Sequence, residues 1–308
     1  MGLLVIDSVS KKFGQLNVLD HLSFEVEEGS VFGFIGKNGS GKTTTMKIIV
    51  GLLNADQGSA YIKGKKVCFG ETPTNHLIGY LPDVPEFYGF MNAVEYLRFC
   101  GRITGMNTVD IDRKTGELIA LVGLQDSAKR RLKGYSRGMK QRLGIAQALI
   151  HEPALLICDE PTSALDPQGR SEILAILGQV REHTTVLFST HILSDVERIC
   201  DTIGVLDGGN LVLGGNLEQI KSRHRSDTIV FELDALNPAA LESIGEELKA
   251  LPFVKGLTVA GRTVYVDVRS AHTDGQLLLA ELLARKLIIL SYWVQEPTLE
   301  NLYLEVVA

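Results

Sequence analysis

Short apolar runs alternate with amphipathic stretches along the first part of the chain. The runs that predict strands are residues 3–7, 22–26, 31–35, 155–158 and 185–189. A helix is predicted over 42–53, where apolar residues such as Met46 and Ile49 recur at helical spacing. Because apolar strands that alternate with helices are typical of open α/β folds, this part of the chain predicts an α/β fold with a parallel sheet, an antiparallel β part and an inserted helical part.

Three helix starts are indicated further along. The stretch 85–150 is mostly helical in pattern, and Asn92-x-x-Glu95 within it is a capping-box sequence. The helix predicted over 139–149 is preceded by Ser136 and Gly138. Ser194-x-x-Glu197, after the strand at 185–189, again has the form of a capping box, so we expect the next helix to begin with Ser194 as its cap.

The pattern changes near residues 221–227, and we place a domain boundary there. The segment beyond it has no glycine-rich phosphate loop. Its predicted elements are strand 228–233, helix 238–251, strands 254–259 and 262–268, helix 274–285, strand 287–294 and a last helix from residue 297. The order βαββαβ predicts a small ferredoxin-like α+β domain. The predicted domains are therefore 1–220, with a helical subdomain at about 85–150, and 227–308.

Composition and charge speak against several classes of protein and of site. The chain has 308 residues, 45% of them apolar and 22% charged, and no apolar run is long enough for a membrane-spanning helix. The net charge of −6 speaks against a broad nucleic-acid-binding face. The 4 cysteines include no C-x-x-C pair, so reduced thiols are expected rather than a zinc site. The sequence starts without a basic signal region or a cleavage site, which predicts a cytoplasmic protein.

A glycine-rich turn lies between the strand at 31–35 and the helix from 42. Gly36-Lys37-Asn38-Gly39-Ser40-Gly41-Lys42-Thr43 satisfies the P-loop pattern G-x-x-x-x-G-K-[ST]. Such a loop turns backbone N–H groups toward phosphates at the positive end of a helix, and glycines leave the room. Lys42 is expected to reach the β- and γ-phosphates, and the Thr43 hydroxyl to ligate Mg²⁺. The residues expected to bind ATP here are Gly36, Asn38, Gly39, Ser40, Gly41, Lys42, Thr43 and Thr44.

An acidic pair ends the apolar strand at 155–158. Ligands of open α/β sheets bind at the carboxyl ends of the strands, so Asp159 is expected near the P-loop, holding the magnesium and its water shell. Glu160 is expected to polarise the attacking water. Taken alone, the pair is equally compatible with a solvated turn. The P-loop upstream favours the catalytic interpretation.

The order of motifs resembles the nucleotide-binding subunit of an ATP-binding-cassette (ABC) transporter over residues 3–220. The signature motif reads Tyr135-Ser136-Arg137-Gly138-Met139, the D-loop reads Ser163-Ala164-Leu165-Asp166, and the switch histidine is His191. The resemblance implies a head-to-tail dimer that encloses ATP between the P-loop of one subunit and the signature of the other. It implies that Ser136 and Gly138 contact the partner's γ-phosphate, that His191 contacts the γ-phosphate, and that Phe13 stacks on adenine.

Two positions depart from the family pattern. Arg137 stands where the signature usually has glycine, and its side chain is expected to point away from the phosphate. Asp83 stands where the family usually has a glutamine. A carboxylate can accept from a magnesium-bound water, but it lacks the amide donor and adds negative charge beside the acidic pair. Asp83 is therefore expected either to hold the magnesium water shell or to couple the site to a membrane partner.

The resemblance implies an ATPase that uses ATP and Mg²⁺ to power a separate membrane-spanning permease, from the inner face of the plasma membrane. The sequence from Glu296 to Tyr303 resembles the tail of ATPase subunits from multidrug and antibiotic-resistance exporters. The C-terminal segment shows no catalytic constellation, so it is interpreted as a regulatory or dimer-supporting module, with a structural cap as the alternative. The alternative function is a soluble ABC ATPase without transport, such as an iron–sulfur assembly factor.

Overall fold

The structure is a computed structural model that describes residues 2–70, 73–223, 227–234, 238–295 and 298–307. The chain divides into two compact units, Met1–Glu218 with Tyr303–Ala308, and Gln219–Leu302. Each unit has its own cluster of buried apolar side chains. Within the described ranges, none of the helices has the length and apolar character needed to cross a membrane.

The first unit contains most of the strands and helices. Its strands are β1 (Leu4–Phe13), β2 (Leu16–Val26), β3 (Val31–Ile35), β4 (Gln57–Ile62), β5 (Lys65–Lys66), β6 (Ile78–Leu81), β7 (Leu155–Asp159), β8 (Thr185–Thr190), β9 (Thr202–Asp207) and β10 (Asn210–Asn216). Its helices are α1 (Lys42–Ile49), α2 (Ala93–Ile103), α3 (Thr108–Leu121), α4 (Arg137–Leu149), α5 (Pro167–Val180) and α6 (Leu193–Ile199), and α7 (Leu217–Arg223) begins in it. Short 3₁₀ turns lie at Asn75–Leu77, Gln125–Ser127 and Leu132–Gly134.

Two sheets organise this unit. The larger has the order β10-β9-β3-β8-β7-β6, and every neighbouring pair in it is parallel except β10 with β9. Strands β3, β7 and β8 are buried along their whole length, which is why they read as continuous apolar runs. The smaller sheet, β2-β1-β4-β5, is antiparallel. The prediction of a parallel sheet with an antiparallel part is confirmed, and the carboxyl ends of β3, β6, β7 and β8 meet at one edge.

Helix α1 is shorter than predicted, because it ends at Ile49 rather than near residue 53. Gly51 follows with a φ of +74°, a conformation that glycine adopts readily and that ends a helix. A Cβ at that position would lie 2.7 Å from the carbonyl oxygen of Cys68. The close approach of that backbone therefore fixes where the helix stops.

The helix starts match the sequence in part. Helix α2 begins with the predicted capping box, in which the Asn92 side chain accepts from the Glu95 N–H and the Glu95 carboxylate accepts from the Asn92 N–H. The capping box predicted at Ser194 is wrong. Helix α6 begins at Leu193, and Ile192 occupies the cap position without a side-chain hydrogen bond. The Ile192 N–H is satisfied by the Thr190 hydroxyl instead, at 3.0 Å, so Ser194 lies inside the helix.

The second unit is a four-stranded antiparallel sheet with helices. Its elements are β11 (Thr228–Leu233), α8 (Pro238–Lys249), β12 (Val254–Ala260), β13 (Thr263–Val268), α9 (Ala271–Ala284), β14 (Ile289–Val294) and α10 (Leu299–Val307), the last of which ends in the first unit. The sheet order β12-β13-β11-β14 is that of a ferredoxin-like fold, as predicted. Side chains from the sheet and from α8 and α9 form one buried cluster.

Most boundaries in this unit lie within two residues of the prediction, but the start of α9 differs by three, and some predictions fall outside the described residues. Helix α9 begins at Ala271, earlier than predicted, because the Asp227 carboxylate accepts from the Ala271 N–H at 2.8 Å and the Asp274 carboxylate accepts from the Ser270 N–H at 2.9 Å. Glu296 and Pro297 of the predicted tail lie outside the described residues, as does the 224–226 part of the predicted domain boundary.

Candidate phosphate-binding and catalytic site

The glycine-rich turn between β3 and α1 needs its glycines for space and for conformation. A Cβ on Gly36 would lie 2.4 Å from the Ser40 hydroxyl and 2.5 Å from the Leu206 carbonyl oxygen. Gly39 and Gly41 have φ values of +82° and +110°, in the region that side chains disfavour. The turn therefore presents bare backbone in front of helix α1, whose first residue is Lys42. This is the cradle that a phosphate group requires.

The cradle encloses a buried cation. Lys42 is only 5% exposed, and its Nζ donates to the carbonyl oxygens of Gly36 at 2.6 Å and Lys37 at 3.2 Å. The Ser40 hydroxyl is buried and has no hydrogen-bond partner among the described residues. Buried polar groups are normally paired, so a cation and an unpaired hydroxyl facing bare backbone fit an anionic ligand. Thr43 is exposed and Thr44 half-buried at the start of the same helix.

The two carboxylates at the end of β7 have different surroundings. Asp159 is 3% exposed and accepts from the Ser189 hydroxyl of the neighbouring β8 at 2.7 Å. The same hydroxyl accepts from the Glu160 N–H at 3.0 Å. Glu160 has a φ of +48°, a conformation that costs a non-glycine residue of order 1–3 kcal/mol and is found at functional sites. This turn separates the two carboxyl groups and directs them differently.

Glu160 lies between two groups that can carry positive charge. One carboxylate oxygen is 3.5 Å from the Lys42 Nζ, and the other is 2.9 Å from the Nδ1 of His191. His191 follows β8 directly, so the imidazole stands at the carboxyl edge of the sheet, as the sequence predicts. The structure thus brings the P-loop lysine, the acidic pair and the histidine together, although they come from distant parts of the chain.

The two departures from the family pattern contact each other. Asp83 follows β6, and its carboxylate lies 3.5 Å from a guanidinium nitrogen of Arg137 at the start of α4. The Gln141 amide of the same helix donates to the Asp83 backbone carbonyl at 2.7 Å. Burial, together with the negative charges of Asp159 and Asp83, raises the pKa of Tyr80 to about 12. Both carboxylates therefore act on this tyrosine at the end of β6.

The signature turn is open to solvent. Ser136 caps α4, and its hydroxyl accepts from the Met139 N–H at 3.2 Å. A Cβ on Gly138 would meet nothing closer than Leu165, at 3.9 Å, so its backbone is accessible. Together with the D-loop, where Ala164 has a φ of +52°, the turn lines a groove of about 400 Å³.

Phe13 lies at the end of β1 and is half exposed. The Lys11 Nζ is 5.5 Å from the centre of its ring and is held by the Asp56 carboxylate at 2.7 Å. Because the side chain is half exposed, Phe13 is available for stacking.

Oxygen ligands for a magnesium ion are present at the edge of the sheet. Thr43 offers a hydroxyl and Asp159 offers a carboxylate with one oxygen not used by Ser189. Mg²⁺ takes such hard oxygen ligands and commonly keeps waters and phosphate oxygens for the rest. In the part of the chain that the structure describes, no three His, Cys, Asp or Glu side chains form a group that could hold a metal ion by themselves. The residues therefore fit a magnesium ion that arrives with a nucleotide.

Sequence reasoning missed two features of this site. Ser189 joins the ends of β7 and β8, and the ion pair joins Asp83 to Arg137. A serine at the end of an otherwise apolar strand was the available signal for the first. No local pattern indicates the second, since the two residues belong to separate elements.

Comparison with known proteins gives two family matches. The model described as "ABC transporter" matches residues 19–163, and the model described as "ATP-binding protein DrrA1-3-like, C-terminal domain" matches residues 215–307. The ABC transporter ATP-binding protein YxlF of Bacillus subtilis is 37% identical over 306 residues, covering 99% of each chain. The linearmycin resistance ATP-binding protein LnrL of the same species is 34% identical over 306 residues, covering 98% of this chain and 97% of its own.

A solved structure of an ATP-binding subunit of an ABC transporter has a fold similar to that of this chain. Its TM-score is 0.65 at 31% sequence identity, and the match covers 72% of this chain and 92% of that one. The predicted resemblance is confirmed. The matching family model, YxlF and this solved structure are all described as parts of ABC transporters, which supports a transport role over the alternative of an iron–sulfur assembly factor.

Proposed function

The chain belongs to the ATP-binding subunits of ABC transporters and is an ATP-hydrolysing protein, and on that premise we propose how its own residues divide the work. Gly36, Asn38, Gly39, Ser40, Gly41, Lys42, Thr43 and Thr44 bind the phosphates of ATP, Phe13 stacks on the adenine, and Glu160 and His191 act in hydrolysis. The observation that carries this assignment is the position of the Glu160 carboxylate, 3.5 Å from the Lys42 Nζ and 2.9 Å from His191 Nδ1.

In this structure the Glu160 carboxylate is the anion that pairs with the Lys42 Nζ. A bound triphosphate carries more negative charge than one carboxylate, so we expect it to replace Glu160 at the lysine. Glu160 is then free to accept the proton of the water that attacks the γ-phosphorus, while the bond to the ADP oxygen breaks. His191, which Glu160 orients through Nδ1, keeps its other ring nitrogen for a phosphate oxygen.

Magnesium is proposed to be held by the Thr43 hydroxyl and the Asp159 carboxylate. The ion would neutralise charge on the phosphates as the reaction proceeds. Asp83 is proposed to accept from a magnesium-bound water, which requires its carboxylate to turn away from Arg137. The alternative is that Asp83 couples the site to a membrane partner.

A second ATP-binding subunit is proposed to complete the site. Ser136 and Gly138 lie in an exposed groove, and we propose that they contact the γ-phosphate held by the P-loop of that partner. The first domain, 1–220, would then form the nucleotide-bound dimer, with the segment at about 85–150 as its helical subdomain. The second, 227–308, would serve as a regulatory or dimer-supporting module.

A membrane-spanning permease, as a separate chain, is the proposed partner in transport. The relative LnrL is named for linearmycin resistance, which supports an exporter of the antibiotic-resistance type. The protein would then work at the inner face of the plasma membrane. The net charge of −6 supports the proposal that nucleic acid is not a partner.

Replacement of the P-loop lysine tests the phosphate site. Lys42→Ala should weaken binding of a fluorescent ATP analogue by about tenfold or more and abolish hydrolysis, because the cradle loses its buried cation. Lys47→Ala is the matched control, since Lys47 is an exposed lysine in the last turn of the same helix. Equal affinity of Lys42→Ala and Lys47→Ala would contradict the assignment.

A further inference from the structure

A buried carboxylate next to the catalytic edge is not used by the mechanism above. Asp195 lies in the first turn of α6 and is 2% exposed. The Thr162 hydroxyl donates to one of its oxygens at 2.7 Å, and an Arg170 guanidinium nitrogen donates to the other at 2.6 Å. Thr162 itself is fully buried. Because a buried charge is tolerated only when it is well paired, both partners are needed to keep Asp195 where it is.

The cluster joins two segments that carry the catalytic groups. Thr162 follows Glu160 on the chain, and Asp195 follows His191, so the hydrogen bond between them ties the segment 159–162 to the segment 189–195. The opposite ends of the same two segments are tied by the Ser189 hydroxyl, which donates to Asp159 at 2.7 Å. The contact of 2.9 Å between Glu160 and His191 lies between these two cross-links.

The backbone that the cluster holds is strained. Glu160 and Ala164 have φ values of +48° and +52°, which non-glycine residues keep only where the surroundings enforce them. Among the described residues, two backbone hydrogen bonds form within the turn 160–165, from the Ser163 N–H to the Glu160 carbonyl at 3.1 Å and from the Leu165 N–H to the Thr162 carbonyl at 3.4 Å. Thr162, fixed by Asp195, lies in the middle of this turn.

We propose that Asp195 is a positioning residue that holds His191 against Glu160 through its hydrogen bond to Thr162. Arg170 lies on α5, the helix that follows the D-loop. Its guanidinium neutralises the Asp195 carboxylate and links the cluster to that helix. The proposal rests on the roles proposed for His191 and Glu160. The proposed role of Asp195 is distinct from the packing of α5 against α6. Those two helices share a separate contact, in which Arg198 donates to the Ser171 hydroxyl at 3.0 Å, and this contact does not involve Thr162.

Removal of the Thr162 hydroxyl tests the proposal. Thr162→Val keeps the shape of the side chain and removes the donor to Asp195, so kcat for ATP should fall about tenfold or more, while KM changes less than about twofold. Thr162→Ser keeps a hydroxyl and should restore most of kcat. Ser171→Ala removes the Arg198 contact between α5 and α6 and should leave kcat unchanged. Thr162→Ala serves as a second hydroxyl-free variant, with the same loss expected.

The same substitution in a His191→Ala background tests whether the hydrogen bond between Thr162 and Asp195 acts through His191. In this background Thr162→Val should lower kcat by less than about twofold further, because no imidazole remains to be positioned. Single-turnover hydrolysis of radiolabelled ATP makes these low rates measurable, and thermal unfolding gives the folded fraction of each variant. A full additional loss in the His191→Ala background overturns the proposal, and so does an unchanged kcat per folded Thr162→Val molecule. If His191→Ala itself leaves kcat intact, the proposed role of His191 fails instead.

Discussion

Asp83 and Arg137 both depart from the usual motif residues of the family, and their side chains pair at 3.5 Å. Both are about half exposed, so the pair contributes little to stability and can open. Each departure alone is puzzling, since one adds a negative charge near the acidic pair and the other adds bulk to the signature turn. Together they neutralise each other, and the Arg137 side chain lies toward β6.

Magnesium titrations of ATPase activity test the role of Asp83. Asp83→Gln keeps an oxygen and loses the charge, so it should stay active and need about two- to tenfold more magnesium, the equivalent of one hydrogen bond. Asp83→Ala should need still more, because no oxygen remains. Arg137→Gln, the control, frees the carboxylate and should not raise the requirement. Identical curves for the wild type and both Asp83 variants would discard the metal role and leave Asp83 as a coupling residue.

Residue identities were predictable from the sequence where the signal is local. The P-loop is one contiguous turn, so its pattern alone locates Gly36 and Lys42, and the structure shows why glycines are required there. The partners of Glu160 were not predictable in the same way. Lys42 and His191 reach it from α1 and from the end of β8, and such distances depend on how parallel strands align in the sheet.

At the scale of elements, the apolar strands were located well and the hairpin strands less well. Strands β1 and β2 run longer than predicted, because their exposed positions carry polar residues and β1 contains bulges that interrupt the alternation. The cap of α6 was misplaced because a capping-box pattern also occurs inside helices. The acidic residue in the first turn of α6 is Asp195. Its carboxylate accepts a hydrogen bond from the Thr162 hydroxyl and does not cap the helix.

The corner between α4 and β7 gives the fold a pH-sensitive point. His151 follows α4, and its Nε2 donates to the Ile78 carbonyl oxygen at 3.0 Å. Its Nδ1 is buried with no hydrogen-bond partner in the described ranges. Burial lowers the pKa of His151 from its ordinary value of 6.5, because protonation would place an unpaired N–H and a charge in the interior.

Chemical denaturation across about pH 8 to 5.5 tests this point. The unfolded chain binds a proton on His151 more readily than the folded chain, so stability present above pH 6.5 is lost as the pH falls below it. His151→Gln retains an amide donor for Ile78 and cannot be protonated, so its free energy of unfolding should decline less. The slopes of the free energy of unfolding against pH should differ between the wild type and His151→Gln by at most about 1.4 kcal/mol per pH unit. Parallel curves for the two proteins would refute this role of His151.

At the scale of the whole molecule, the order of elements predicted both folds. The ferredoxin-like order β12-β13-β11-β14 follows from the βαββαβ pattern, because that connectivity has few compact antiparallel solutions. The assignment of Tyr303–Ala308 to the first unit was not predictable, since helix α10 begins in the second. Periodicity marks a helix but does not say which unit its end belongs to.

Nucleotide-dependent dimerisation is the prediction at this scale. Glu160→Gln protein should elute from a size-exclusion column as a dimer with Mg-ATP and as a monomer without it, because ATP is held between two subunits. Ser136→Arg added to this variant should restore the monomer by blocking the signature turn. Gln125→Arg, at an exposed position of a 3₁₀ turn, controls for the added charge. A dimer indifferent to both nucleotide and Ser136 would assign subunit contact to the C-terminal unit.

The turnover of Glu160→Gln tests the central claim most directly. The amide keeps the shape of the carboxylate but cannot accept the proton of water, so kcat should fall about 100-fold or more. Binding of Mg-ATP should be retained or tighter, because the competing negative charge 3.5 Å from Lys42 is gone. Both are read on one preparation, by single-turnover hydrolysis and by equilibrium binding of a fluorescent ATP analogue. Hydrolysis at a near wild-type rate would contradict the assignment of Glu160 as the group that activates water.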